Sequence, residues 1–127
     1  MDTGDKKTVL VVDDMAAILE HAKQILKDEY KVIPCTSAKQ ALDVIGKRKP
    51  DCVLTDINMP DMDGFELLSA IKSNPETKDI PVLLLSAEMT SDLEAKGFAL
   101  GADDYVLKPF SQVTMLRRIS NQIALRE

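Results

Sequence analysis

The chain has 127 residues, 45% of them hydrophobic, which is enough for one sizeable core, and we predict a single domain over residues 1–127. Its formal net charge of −5 argues against direct nucleic-acid binding, because a phosphate backbone requires a clustered Lys/Arg surface. The polar start, Met1 to Lys7, and the lack of a long apolar run argue against a secreted or membrane protein, so we expect a cytoplasmic one. Cys35 and Cys52 lie in apolar segments, which predicts buried thiols and not a disulfide framework.

The first half of the chain predicts three strands and two helices. An unbroken apolar run predicts a buried strand over residues 8–12, and two further runs predict strands over 30–33 and 51–55. Apolar residues recur at helical spacing after the first strand; the inner positions are Ile18, Leu19, Ala22, Ile25 and Leu26. A second helical stripe, which Gly46 should close, follows the second strand; it consists of Ala38, Ala41, Leu42 and Ile45.

The second half predicts three more helices and two strands. A turn-rich segment, 58–64, leads into a third helix that should end at Asn74-Pro75, and strands are predicted over 81–85 and 104–107. Ser91 and Glu94 match a capping box for a fourth helix over 93–100, which Gly101 would close. Ser111 should cap the last helix, whose predicted inner residues are Val113, Leu116, Ile119 and Ile123.

The alternation of strands and helices predicts the fold class. Continuous apolar strands separated by helices favour an α/β protein, a three-layer sandwich with a parallel sheet covered on both faces. Strands one, three and four are the most apolar and should be central, whereas strand two carries Lys31 and Pro34 and strand five is short. Right-handed crossovers then give the order 2-1-3-4-5, that of a flavodoxin-like (βα)5 fold.

Polar side chains follow four of the predicted strands at their carboxyl ends. Strand one is followed by Asp13 and Asp14, strand three by Asp56, strand four by Ser86 and strand five by Lys108. In an open parallel sheet these ends meet at the ligand-binding edge, where the strand order reverses. Three close carboxylates repel one another, and a hard cation such as Mg²⁺ is the natural occupant of such an oxygen-rich site. Carboxylates are also nucleophiles in phosphoryl transfer, so the sequence predicts a phosphoryl-accepting site.

Four segments of the chain, in this order, resemble the motifs of a two-component response-regulator receiver domain such as a chemotaxis regulator. They are VLVVDD at 9–14, LTDINMPDMDG at 54–64, LLSA at 84–87 and GADDYVLKPF at 101–110. The resemblance covers essentially the whole chain. It implies a phosphorylation-controlled signalling switch, which is not an enzyme beyond catalysing its own phosphorylation and dephosphorylation.

The resemblance also implies a phosphoacceptor and a metal site. Asp56 would accept the phosphoryl group. Asp13, Asp14, Asp56 and the backbone carbonyl of Asn58 would hold Mg²⁺, with Mn²⁺ as an alternative. The side chains of Asn58 and Glu88 would tune the lifetime of the phosphorylated state.

Further roles implied by the resemblance belong to the ends of strands four and five. Ser86 would bond one phosphoryl oxygen, and Lys108 would pair with another. The peptide bond between Lys108 and Pro109 is expected to be cis, as proline permits. Tyr105 would be the aromatic switch residue, which turns inward when Ser86 moves towards the phosphate.

The resemblance implies partners as well. The phosphodonor would be a phosphohistidine on a sensor histidine kinase or a histidine phosphotransfer protein, docked against the first helix. A downstream protein would bind the surface of the fourth helix, fifth strand and fifth helix, and the same surface would support a homodimer formed on phosphorylation.

Three other functions fit the residues less well. A haloacid-dehalogenase-like phosphatase has an acid-base Asp two residues after its nucleophile, where this chain has Asn58, and the chain lacks room for a cap. A pseudo-receiver typically loses an acidic or lysine position of the site, and none is lost here. A nucleotide-binding α/β protein would carry a glycine-rich loop after the first strand, where Asp13 and Asp14 stand.

Simpler structural interpretations apply to single residues. Asp13 or Asp14 could be a helix N-cap, and Tyr105 could be an ordinary edge-strand aromatic residue. The segment around Asp61, Asp63 and Gly64 matches part of the EF-hand loop pattern. It is not such a loop, since Met59 and Ala70 occupy the first and last ligand positions. Three further expectations concern single residues or pairs: His21 is an exposed polar residue, Met59 and Met62 are packing or docking residues, and Arg117 with Arg118 forms a solvated helix face.

Overall fold

The computed structural model describes residues 6–127, and within them five strands alternate with five helices. Most of the polar start of the chain therefore lies outside the described residues. The elements are β1 (Lys7–Val12), α1 (Ala16–Leu26), β2 (Tyr30–Cys35), α2 (Ala38–Lys47), β3 (Cys52–Asp56), α3 (Gly64–Ser73), β4 (Val82–Ser86), α4 (Ser91–Ala99), β5 (Asp104–Leu107) and α5 (Gln112–Ala124). None of the helices in 6–127 is long and apolar enough to cross a membrane.

The strands form one parallel sheet in the order β2-β1-β3-β4-β5, which confirms the predicted fold. The three central strands are almost wholly buried, whereas β2 and β5 expose part of their length. Pro34 lies in the edge strand β2, where a residue without an N–H can be accommodated. Val12 pairs with Thr55 and Asp56 with Leu85, so the carboxyl ends of the central strands lie at one edge of the sheet.

Alternate residues of each central strand pack on opposite faces of the sheet, and this creates two apolar layers. Leu10, Val53 and Leu84 face the layer that α2 and α3 cover. Val11 and Leu54 face the layer that α1 and α5 cover. The three-layer sandwich therefore follows from the period-two pattern of continuously apolar strands. Both cysteines are buried free thiols, as predicted.

The buried face of α1 is centred slightly away from its predicted position. Leu19, Ala22 and Leu26 are buried, at spacings of three and four residues. Ile18 and Ile25 are only half-buried and pack at the margin of the same cluster. Each lies one residue, or about 100° of rotation, before a fully inward position, so the helix is rotated relative to the prediction.

The start of α4 differs from the prediction, whereas its end agrees. Thr90 is the N-cap, and its hydroxyl accepts the Leu93 N–H at 3.2 Å. The predicted capping box of Ser91 and Glu94 is therefore wrong, because the neighbouring hydroxyl residue takes the capping position. Gly101 follows the helix with φ +106°, a conformation that favours glycine.

Two further helix predictions need correction. Val113, predicted to face inward, is 69% exposed in the first turn of α5. The buried residues of that helix are Met115, Ile119 and Ile123, at spacings of four, which puts Val113 on the outer side. Gly46 does not close α2, since the helix continues to Lys47.

Candidate functional site

Three carboxylates meet at the carboxyl edge of the sheet. One oxygen each of Asp13, Asp14 and Asp56 lie within 4.8 Å of one another. Asp13 follows β1 and is fully buried, Asp56 is the last residue of the neighbouring β3 and is 7% exposed, and Asp14 is exposed. The arrangement follows from the strand order, because β1 and β3 are adjacent and parallel and end at the same level.

One ammonium group lies among these carboxylates. Lys108 comes from the β5–α5 loop, and its Nζ is 2.8 Å from Asp13 Oδ2 and 3.2 Å from Asp56 Oδ1. The Lys108 backbone N–H donates to the carbonyl of Ser86 at 2.8 Å, which attaches the loop to the end of β4. The Lys108–Pro109 peptide bond is cis. The structure thus brings five predicted site residues, Asp13, Asp14, Asp56, Lys108 and Ser86, to one edge of the sheet.

Burial and mutual charge shift the protonation equilibria of this site. Burial, and next the negative charge of Asp13, raise the pKa of Asp56, while the Lys108 ammonium and a hydrogen bond from the Asn58 backbone act in the opposite direction. Burial alone would lower the pKa of Lys108, but its hydrogen bonds and charge interactions with Asp13 and Asp56 outweigh this and raise it. Lys108 is therefore a stable cation, and a single ammonium does not neutralise three carboxylates. This donor set fits a hard divalent cation.

The Ser86 hydroxyl is buried, and its hydrogen bonds go to the backbone of the loop that follows β4. It donates a short hydrogen bond to the carbonyl of Glu88 and accepts the Glu88 N–H at 3.3 Å. Ser86 stands one residue beyond the pairing partner of Asp56 on β4, so it lies on the same edge of the sheet. The side chains of Glu88 and Asn58 are both exposed at this edge.

Tyr105 is half-buried on β5 beside α4 and is held by two charged neighbours. Its N–H donates to Asp104 Oδ1 at 2.8 Å, and its carbonyl accepts a short hydrogen bond from Arg118 of α5. The Arg118 guanidinium lies 5.1 Å from the centre of the Tyr105 ring and 3.4 Å from the Asp104 carboxylate. The expectation of a solvated arginine pair thus holds for the exposed Arg117 and is wrong for Arg118.

The sequence interpretation missed how tightly α3 packs beneath Asp56. A Cβ atom on Gly64, the first residue of α3, would lie 2.1 Å from the carbonyl oxygen of Asp56, so only glycine fits there. The same helix begins with a true capping box: Asp63 Oδ1 accepts the Glu66 N–H at 2.8 Å, and Glu66 Oε1 accepts the Asp63 N–H at 2.9 Å. The spacing of Asp63 and Glu66 was the available signal.

The simpler interpretations of single residues have mixed outcomes. Neither Asp13 nor Asp14 is the N-cap of α1, because Met15 holds that position and donates its N–H to Asp13 Oδ1 at 2.9 Å. Met59 is buried in the core, which confirms it as a packing residue. His21 is exposed as predicted, but its ring also stacks on Phe110, with a centroid separation of 5.5 Å and an interplanar angle of 27°.

Comparisons with known proteins agree with this fold and this edge of the sheet. A family model described as the response regulator receiver domain matches residues 9–120. The chain is 38% identical over 123 residues to the "Probable cyclic di-GMP phosphodiesterase" of Vibrio cholerae, an overlap of 97% of this chain and 28% of that protein. It is 39% identical over 114 residues to the phosphate regulon transcriptional regulatory protein PhoB of Pseudomonas aeruginosa, an overlap of 89% and 50%.

A solved structure shows the same likeness over nearly its full length. Chemotaxis protein CheY4 of Vibrio cholerae superposes with a TM-score of 0.87 at 32% identity, covering 91% of this chain and 98% of that chain. By contrast, the chain spans half or less of the length of the two curated relatives. Because the family match extends over most of the chain and the solved fold is the same, this chain belongs to the response regulator receiver domain family and is a receiver domain of two-component signalling systems.

Proposed function

We propose that Asp56 is the residue of this receiver domain that accepts a phosphoryl group from a phosphohistidine donor. The observation that carries the proposal is the position of the Asp56 carboxylate, buried at the end of β3 and 3.2 Å from the Lys108 ammonium. A carboxylate that is both positioned and paired with a cation can act as a nucleophile in phosphoryl transfer.

The site fits Mg²⁺, with Mn²⁺ as an alternative. Asp13, Asp14 and Asp56, together with the backbone carbonyl of Asn58, would hold the cation, and the support for this is the close approach of the three carboxylates. When bound, the cation would offset the repulsion between the carboxylates and stabilise negative charge on the phosphoryl oxygens.

The transfer replaces one bond to phosphorus by another. A carboxylate oxygen of Asp56 forms the new P–O bond while the P–N bond to the donor imidazole breaks, and the electron pair leaves with the imidazole nitrogen. Lys108 pairs with a phosphoryl oxygen from its position beside Asp13 and Asp56. Water later attacks the acyl phosphate, releases inorganic phosphate and regenerates the carboxylate, so the domain catalyses only its own phosphorylation and dephosphorylation.

Phosphorylation of Asp56 would change the positions of side chains on β4 and β5. The Ser86 hydroxyl exchanges its bond to the Glu88 carbonyl for one to a phosphoryl oxygen, and Tyr105 turns inward beside α4. The exposed side chains of Asn58 and Glu88 tune how readily water reaches the acyl phosphate. A partner that binds one of the two states more tightly then shifts the population towards that state.

The proposed partners follow from these surfaces. A histidine kinase or a histidine phosphotransfer protein in the cytoplasm docks against α1, beside the site. A downstream protein, or a second copy of the phosphorylated domain, meets α4, β5 and α5, where Phe98 and Leu107 are each 47% exposed. Residues 1–127 act as one domain in this scheme.

The intact mass of the protein tests the proposal. Incubation with Mg²⁺ and acetyl phosphate should add one phosphoryl group to the wild type, which is lost on standing, and none to Asp56→Asn or to an EDTA-treated sample. Uptake that survives in Asp56→Asn would refute the assignment of the acceptor. Steady turnover of an organic phosphate ester would instead favour a phosphatase.

A further inference from the structure

We infer that His21 is a positioning residue for phosphoryl transfer: by stacking on Phe110 it holds the loop that carries Lys108 against α1. The inference rests on the proposed function and assigns a role to a residue outside the acidic site. The exposed His21 ring lies parallel to Phe110 within 27°, and the centroid separation of 5.5 Å is in the range of favourable aromatic pairs.

The loop that carries Lys108 is short and is held at both ends. At its start, the Lys108 N–H bonds to the carbonyl of Ser86. At its other end, Phe110 is 8% exposed and packs in the α1/α5 layer of the core, and Ser111 caps α5 by accepting the Thr114 N–H at 3.4 Å. The buried ring of Phe110 therefore fixes the backbone two residues after Lys108, the residue that carries the ammonium.

The stack joins the two elements whose relative position the chemistry requires. His21 lies on α1, the helix that follows Asp13 and Asp14, and Phe110 lies on the loop of Lys108. The ion pair of Lys108 with Asp13 also links the loop to the segment that leads into α1. The pair with Asp56 links the loop to β3 and must change when the Asp56 carboxylate is esterified. The aromatic contact does not involve the reacting atoms, so it persists through the transfer and keeps the ammonium at the phosphoryl oxygens.

Phosphorylation kinetics of His21 variants test this role. We would measure the rate constant of acetyl phosphate uptake by intact mass at saturating Mg²⁺, and Mg²⁺ affinity separately by titration calorimetry. His21→Ala should lower the rate about fivefold, because a displaced catalytic group slows the reaction steeply, and should leave Mg²⁺ affinity unchanged. His21→Phe should restore the rate, since it keeps a ring on Phe110.

A double-mutant cycle and a matched control separate positioning from general stability. Gln24→Ala removes an exposed side chain of α1 that bonds to Glu20 and should leave the rate unchanged. In a Lys108→Ala background, His21→Ala should have no further effect, because the residue acts through Lys108.

Three results would overturn the inference: a wild-type rate in His21→Ala, no rescue by His21→Phe, or an undiminished fivefold loss in the Lys108→Ala background. Each of them is compatible with the proposed function, because the wild type still takes up phosphate. Failure of the wild type itself to take up phosphate would refute the proposed function and, with it, this inference.

Discussion

Removal of the Asp103 carboxylate should destabilise the fold without touching the candidate site. Asp103 Oδ2 accepts hydrogen bonds from Lys72 Nζ at 3.0 Å and from the Val82 N–H at 2.8 Å, and Oδ1 accepts one from Arg126 at 2.9 Å. These three contacts join α3, the start of β4 and the segment just after α5 at the edge of the sheet opposite the three carboxylates. The Asp103 side chain is only 19% exposed, so solvent screens these contacts weakly.

The loss of stability in Asp103→Ala depends on which hydrogen bonds the partners of Asp103 keep. Hydrogen bonds that involve a charged group contribute about 1.5–3 kcal/mol each. Lys72 keeps the carbonyls of Ile80 and Lys78, and Arg126 keeps that of Asp79, so neither cation is left without acceptors. We therefore expect Asp103→Ala to lower the free energy of unfolding by about 3 kcal/mol in total, below the sum of three separate bonds.

The loss should depend on pH with a defined sign. Burial would raise the pKa of Asp103, but its hydrogen bonds to Val82, Arg126 and Lys72 outweigh burial and lower it. A pKa that is lower in the folded state than the unfolded value of about 3.9 means that the contribution is complete above that value and disappears as the pH falls through the folded pKa.

Urea unfolding of the wild type and Asp103→Asn between pH 7 and pH 2.5 measures this contribution. The difference in unfolding free energy should be largest at pH 7 and should shrink below about pH 3.9. Asp43→Asn, a matched charge change at an exposed residue of α2, should show little difference at any pH. Two results would contradict the stabilising role of Asp103: a difference between wild type and Asp103→Asn that stays constant to pH 2.5, or an Asp103→Ala loss below about 1 kcal/mol.

Three further predictions follow from individual contacts. Gly64→Ala should lower the free energy of unfolding in urea by about 3 kcal/mol or more, since the added Cβ would lie 2.1 Å from a backbone oxygen. Gly46→Ala, whose added Cβ meets open space, should instead raise it by about 0.5–1 kcal/mol. Equal effects of the two substitutions would contradict this prediction. Lys108→Ala should slow acetyl phosphate uptake about tenfold and tighten Mg²⁺ binding by calorimetry, because a cation leaves the site; weaker Mg²⁺ binding would count against it. Ile119→Ala should lower the free energy of unfolding by about 2–5 kcal/mol, and Val113→Ala should lower it by less than about 0.5 kcal/mol. A large loss in Val113→Ala would mean that Val113 faces the core, as the sequence pattern predicted.

The fold was predictable because its determinants are local. The relative apolarity of the strands separates centre from edge, and Lys31 and Pro34 mark β2 as an edge strand, so the strand order follows once crossovers are right-handed. The carboxyl ends of the strands then place Asp13, Asp56 and Lys108 together.

The errors arose where the sequence offers adjacent candidates or distant partners. Thr90 and Ser91 are both good N-caps, and a pattern cannot choose between neighbours that differ by one residue. The contact of Gly64 with the Asp56 backbone depends on how α3 packs, which no local pattern states. The stacking of His21 on Phe110 joins residues far apart in sequence, so it becomes visible only in the folded chain.

The side chains of Asp104 and Arg118 also bond to the outer edge of the sheet, at the edge strand β5. An edge strand presents unpaired peptide groups to which a foreign strand can add, and this is a route to aggregation. In β5 the N–H of Tyr105 is taken by Asp104 and its carbonyl by Arg118, so the centre of this short strand offers no free peptide group to an incoming chain. A strand that adds to this edge would therefore find no free peptide group at Tyr105, and recognition at that point rests on the side chains.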